Sequence, residues 1–181
     1  MNCHGKSIAP FRFVAAVALF LCSLVVAADT PWVPPLEGRV TDTTSALSAM
    51  DRDRITEMLA RYEQETSHQL AVLVVSTLSG ESIESFSLRV ANAWGLGRTG
   101  LNNGILVTLA LKEKKVRIEL GLGMQKYVSN AMAQSIMGNL MVPAFRNGDY
   151  AGGLQAGLEQ LMKDGRRFVV TPADLQRAKE R

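Results

Sequence analysis

Gln69-Leu70-Ala71-Val72-Leu73-Val74-Val75 is the stretch that decides the fold. After its first residue it is apolar without a break and rich in valine. A strand with one wet face alternates polar and apolar side chains, whereas an unbroken apolar run belongs to a strand covered on both faces, as in an α/β sheet. Residues 105–111, opened by Asn103-Gly104, form a second run that is apolar except for Thr108. After a polar turn at 112–115, residues 116–120 alternate, so this piece reads as a strand nearer the sheet edge, paired with its predecessor as a hairpin. Gly121 and Gly123 close the hairpin.

Helices fill the spaces between these runs. Ile55, Met58, Leu59 and Tyr62 stand at i, i+3, i+4, i+7, and Thr44 or Ser45 can cap the helix that carries them. Residues 81–94 place Ile83, Phe86, Val90 and Trp94 on one side, with Gly95 and Gly97 as the stop. Met132, Ile136, Leu140 and Met141 mark a helix ended by Pro143, with Asn130 at its N-cap, and Leu154, Leu158 and Leu161 mark another after Asp149. A short extended piece, residues 39–42, precedes the first helix, and Thr171-Pro172-Ala173-Asp174 starts a short capped helix in the tail. The order α-β-α-β-β-α-α predicts an α/β fold, a three-layer α/β/α sandwich around a small mixed sheet.

Residues 1–28 have the layout of a secretion signal. Lys6 and Arg12 come first, residues 13–26 run uncharged, and Ala27 and Ala28 precede the first acid, Asp29. The apolar run is about 14 residues, roughly 21 Å as a helix and short of a ~30 Å hydrocarbon layer, so a kept anchor fits less well. A lipoprotein at Cys22 fits poorly because Phe20 and Leu21 before it are bulky. The expected organisation is a signal at 1–28, a Pro-rich linker at 29–38, the α/β domain at 39–165 and a tail at 166–181. The expected location is periplasmic or secreted, with no transmembrane span in the mature chain. Cys3 and Cys22 both lie in the signal, which leaves no thiol for catalysis, disulfide or metal. Without Lys6 and Arg12, 18 basic groups face 17 acidic ones, and so balanced a domain has no electrostatic footprint for nucleic acid.

Strong catalytic groups are few. His68 is the single histidine outside the leader and reads as a surface residue. No Gly-x-Ser-x-Gly elbow accompanies a serine, and Gly95-x-Gly97-x-x-Gly100 follows a helix rather than a strand, which fails the dinucleotide context. Met124, Met132, Met137, Met141 and Met162 read as core filler. The informative polar residues stand where strands end. Asp42, Asn102, Asn103, Glu119 and Asn130 form a candidate polar cleft or ion site, with Asp42, Asn102 and Asn130 as oxygen donors that suit Ca²⁺. Each also has a local reading, in which Asn130 caps, Asn103-Gly104 turns and Arg146 pairs with Asp149. Trp94, Arg146 and Asp149 are expected as structural or surface contacts. No cofactor is predicted apart from that ion.

Several segments in order are similar to the TPM-domain family of thylakoid lumen, photosystem II repair and bacterial envelope proteins. They are Val40-Thr41-Asp42 with Leu47-Ser48, the valine-rich strand, Asn92-Ala93-Trp94-Gly95-Leu96-Gly97 and Asn103-Gly104-Ile105-Leu106. Arg117-Ile118-Glu119-Leu120-Gly121-Leu122-Gly123 and Pro143-Ala144-Phe145-Arg146-Asn147-Gly148-Asp149-Tyr150 complete the set. The resemblance implies an α/β/α sandwich outside the cytoplasm and a role ranging over phosphatase activity, calcium binding and upkeep of membrane complexes. Where the family often has Asp-Asn-Gly the chain has Asn102-Asn103-Gly104, and where it often has Leu-Thr-Asp the chain has Val128-Ser129-Asn130. An amide cannot act as general acid or base at ordinary pH, which weakens metal-dependent phosphatase chemistry most. The expectation is therefore a non-enzymatic accessory or binding module with an envelope or membrane protein partner. The alternative is an acid-type phosphatase using Asp42 and Glu119 at a weakened divalent-ion site.

Overall fold

The computed structural model describes Met1, residues 32–168 and residues 170–180. The expected signal lies outside the described residues. Four strands, β1 (Val40–Asp42), β2 (Gln69–Val75), β3 (Gly104–Ala110) and β4 (Lys115–Leu120), form one sheet in that order. β1, β2 and β3 are parallel, and β4 is antiparallel to β3, with Leu106 opposite Glu119. β3 is buried throughout and β2 in all but its first residue, while β4 is buried only at Ile118 and Leu120, as the alternation predicts for an edge.

Side-chain parity sorts the core into two layers. Leu70, Val72, Val74, Ile105, Val107 and Leu109 face α1 (Ala49–Thr66), α3 (Asn130–Ile136) and α5 (Tyr150–Gly165). Ala71, Leu73, Val75, Leu106 and Ala110 face α2 (Ile83–Ala93). This is the expected three-layer sandwich. Both βαβ connections advance the same way across the sheet but cross opposite faces. They therefore have opposite hands, and one is the rare left-handed type. The chain thus leaves β1 and β2 toward opposite faces of the sheet.

Several local readings change. Ser48, not Thr44 or Ser45, caps α1 by accepting from the Asp51 amide. Ser129, not Asn130, caps α3 through Met132, leaving Asn130 in the exposed first turn. The cap falls one residue earlier because the extended backbone needed to aim a side-chain oxygen at the first turn is at Ser129. Pro143 does not end its helix. A π-turn (Met137–Met141) follows α3, with the Val142 amide reaching back to Met137 O, and Pro143 sits in the first turn of α4 (Val142–Arg146). The ladder shifts just before a residue with no N–H to donate. Met124, Met141 and Met162 are buried, and Met132 and Met137 pack against the same core.

The Pro-rich stretch is docked from Trp32 onward. Pro34 is buried, its carbonyl accepts from Trp94 Nε1 at 2.8 Å, and Arg89 donates to Trp32 O. The tail carries α6 (Pro172–Lys179), closed by a capping box between Thr171 and Asp174. At the amino end of the sheet three backbone segments touch. A Cβ on Gly104 would fall 2.5 Å from the Leu96 carbonyl, and one on Gly121 2.2 Å from Asn102 O. Gly104→Ala is expected to cost about 2–4 kcal/mol because backbone, not a flexible side chain, stands in the way. Gly138→Ala, with no heavy atom within 4 Å, is expected to gain about 0.5–1 kcal/mol. Urea denaturation of both variants checks the contrast.

Candidate functional site

The polar residues singled out by the sequence separate into places set by the topology. Asp42 ends β1, one edge strand, and is 8% exposed. Its Oδ1 accepts from the Thr44 amide at 2.8 Å and the Thr44 hydroxyl at 2.6 Å, and its Oδ2 accepts from the Leu47 amide at 2.9 Å. Both oxygens are thus engaged in folding the loop that carries the chain from β1 to α1. Glu119 lies on β4, the other edge strand, where Arg117 Nη2 donates to it at 3.0 Å. Their strands are three spacings, about 14 Å, apart across the sheet, and Asp42 stands at the level of Leu109 whereas Glu119 stands at that of Leu106.

Asn102 and Asn103 lie at the amino end of β3, whereas Asp42 pairs with Val74 near the carboxyl end of β2. The levels of Leu109 and Gly104 are five residues apart, about 16 Å along a strand. Asn130 opens α3, on the face opposite α2. The structure therefore does not bring Asp42, Asn102 and Asn130 to one point. It does bring Asn102 and Glu119 together. They line a cleft of about 370 Å³ beside α2, with Asn92 and Gln125 as further polar groups. Leu88, 50% exposed, and Leu122, 71% exposed, belong to the same lining.

Asn103 does more than turn the chain. It is fully buried, its Oδ1 accepts from the Arg98 amide at 2.8 Å, and its Nδ2 donates to Ser67 O at 2.8 Å. The same Nδ2 lies 3.2 Å from His68 Nδ1, and His68 Nε2 meets Phe168 O. His68 is thus not a surface residue but a fully buried one that ties β2 to the tail. The bonds imply a neutral ring that accepts at Nδ1 and donates at Nε2. A polar residue beside an apolar strand start gave no sign that the tail would cover it. The residues the sequence reading missed in the cleft are Asn92, Gln125, Leu88 and Leu122. The available signal was Leu88, an apolar side chain off the Ile83–Phe86–Val90 stripe. Trp94 is half-buried against Pro34 as described, and Asp149 caps α5 by accepting from the Gly152 amide at 2.8 Å. Arg146 makes no ion pair among the described residues.

Burial lowers the pKa of His68 from its usual 6.5, against the raising effect of the Phe168 and Gly165 backbone contacts. The unfolded chain therefore takes up this proton first as pH falls. The contribution is fully present above the ordinary histidine pKa and is lost on acidification through it. His68→Gln is expected to flatten that part of the loss between about pH 7.5 and 5.5, read as the difference in urea midpoints between variant and parent.

The separation of Asp42, Asn102 and Asn130 generates a second expectation. Saturating a shared site would add about 2.7 kcal/mol at a hundred times the dissociation constant, or roughly 5 to 11 °C in a domain of this size. The melting temperature in millimolar Ca²⁺ is instead expected to match that in EDTA.

The TPM phosphatase family model, described as the TPM domain, matches residues 40–164. The N-terminal domain of a protein from P. gingivalis, solved by NMR, is similar at 31% identity and TM-score 0.64, covering 69% of this chain and 80% of that one. The N-terminal domain of a Corynebacterium glutamicum protein shares the fold at 20% identity and TM-score 0.58, covering 74% and 87%. The BA42 protein of the psychrophile Bizionia argentinensis does so at 22% identity and TM-score 0.59, covering 71% and 88%. No curated protein matches the chain. With its family match running from β1 almost to the end of α5, the chain belongs to the TPM-domain family.

Proposed function

We propose that this chain is an exported TPM-domain binding module that supports an envelope or membrane protein complex in the periplasm or outside the cell. The observation that carries the reading is the cleft beside α2. Its polar groups are Asn92, Asn102, Gln125 and an Arg-paired Glu119, and exposed Leu88 and Leu122 stand among them. Apolar side chains left in water around neutral hydrogen-bonding groups favour a protein partner over a charged substrate. Trp32, 61% exposed, is anchored to the same helix through Arg89, which extends the apolar character of that side. The cysteine-free region beyond residue 28 and the leader pattern support an oxidising location. Among the described residues no helix is long and apolar enough to cross a membrane.

The label of the matching family favours a second reading, an acid-type phosphatase with a weakened divalent-ion site. That reading needs Asp42 and Glu119 to act on one phosphate, and they stand on opposite edge strands. Binding therefore fits the geometry better.

Mild crosslinking of the tagged chain in its native envelope is expected to recover a defined envelope partner. Leu88→Ser with Leu122→Ser is expected to reduce that recovery at least about tenfold, as truncating two anchors of an interface does, with the melting temperature unchanged. Equal recovery with the double variant would remove the cleft from the interface. A stably folded chain that captures no envelope protein would overturn the proposal.

A further inference from the structure

A second cavity lies at the other end of the sheet and plays no part in the reading above. β3 runs out there into the turn leading to β4, and the α4–α5 corner closes over it, enclosing about 530 Å³. Leu109 and Val116 from neighbouring strands and Val142 and Phe145 from α4 supply its apolar wall, and polar atoms supply about as much of the lining. Two cations, Lys114 and Arg146, stand in this lining, and no carboxylate does among the described residues.

The acids nearest in sequence are turned to other work. Glu113 accepts from the Thr77 hydroxyl at 2.7 Å and the Leu78 amide at 3.1 Å, and Asp149 caps α5. The side chains of Lys114 and Arg146 have no ion-pair or hydrogen-bond partner among the described residues, although the Lys114 amide donates to Leu111 O. Lys114 is also held at φ 53°, a left-handed conformation in the β3–β4 turn that lysine rarely adopts. Two cations without an acidic partner, beside four apolar side chains in a cavity of ordinary small-molecule size, define the complement that would fill it.

We propose that this cavity binds a small amphiphilic carboxylate. Its apolar body lies against Leu109, Val116, Val142 and Phe145, and its head is held by Arg146 and Lys114. The planar guanidinium can take both carboxylate oxygens, and the ammonium adds a point charge. The apolar walls remove the chain from water, and the charge pair fixes which end points out. The cavity's size favours a free small molecule over a protein segment.

The test is an NMR titration of the whole chain with octanoate, run beside octanol and inorganic phosphate. Octanoate is expected to give saturable shifts centred on Leu111, Gly148 and Tyr150. Octanol and phosphate, each lacking one half of the complement, should bind at least about tenfold more weakly. Arg146→Gln and Lys114→Gln should each weaken octanoate several-fold while leaving the spectrum of the free protein dispersed. If Arg146→Gln fails to fold, Lys114→Gln in the exposed turn still decides the matter. Octanol binding as tightly as octanoate, shifts centred elsewhere, or unchanged affinity in a folded Lys114→Gln variant would overturn the proposal.

Discussion

Burial of β2 and β3 on both faces is the constraint on which the rest of the molecule depends. Thirteen of their fourteen residues are buried, so each face needs its own helical layer. α2 supplies one alone, and α1, α3 and α5 supply the other. The same constraint leaves Thr108 as the single polar side chain within β3. Hydrogen-bonding groups survive at strand ends, where Asp42, Asn102 and Asn103 stand, and on the half-wet edge strand, where Glu119 stands. The possible sites are therefore far apart by construction, one set at each end of seven-residue strands and one at each edge.

This explains what the sequence could and could not reveal. The two apolar runs and the helical stripes rest on periodicity, a local property, and they place the sandwich and the edge position of β4 correctly. Residues whose roles depend on distant chain were not legible. His68 reads as a surface residue until Phe168, one hundred positions later, covers it. Asn103 looks like a turn residue, yet its side chain joins Ser67, His68 and Arg98. The glycines at 104 and 121 announce tight places, but not that segments 96, 102 and 121 meet there. Helix starts slipped by one to four residues because several Ser and Thr candidates were adjacent and backbone geometry chose among them.

Candidate site residues share this limit. The sequence groups Asp42, Asn102, Asn103, Glu119 and Asn130 as one candidate site because ligands in open α/β sheets collect where strands end. Convergence also requires knowing which end and which face. The structure joins only Asn102 and Glu119, and it surrounds them with amides and exposed leucines. The carboxylates that a hydrolase would use are otherwise occupied. Asp42 holds two amides and a hydroxyl of its own loop, and Glu119 holds Arg117. The acids are thus committed to local contacts, and the proposed binding role rests on the cleft beside α2 instead.

The most direct test of that account is the turnover of a generic phosphomonoester by the purified chain, across acid and neutral pH, with and without millimolar divalent ion. The account predicts no turnover above the blank under any of these conditions. Turnover that disappears in Glu119→Gln or Asp42→Asn, in a variant whose melting temperature shows it still folded, would contradict it.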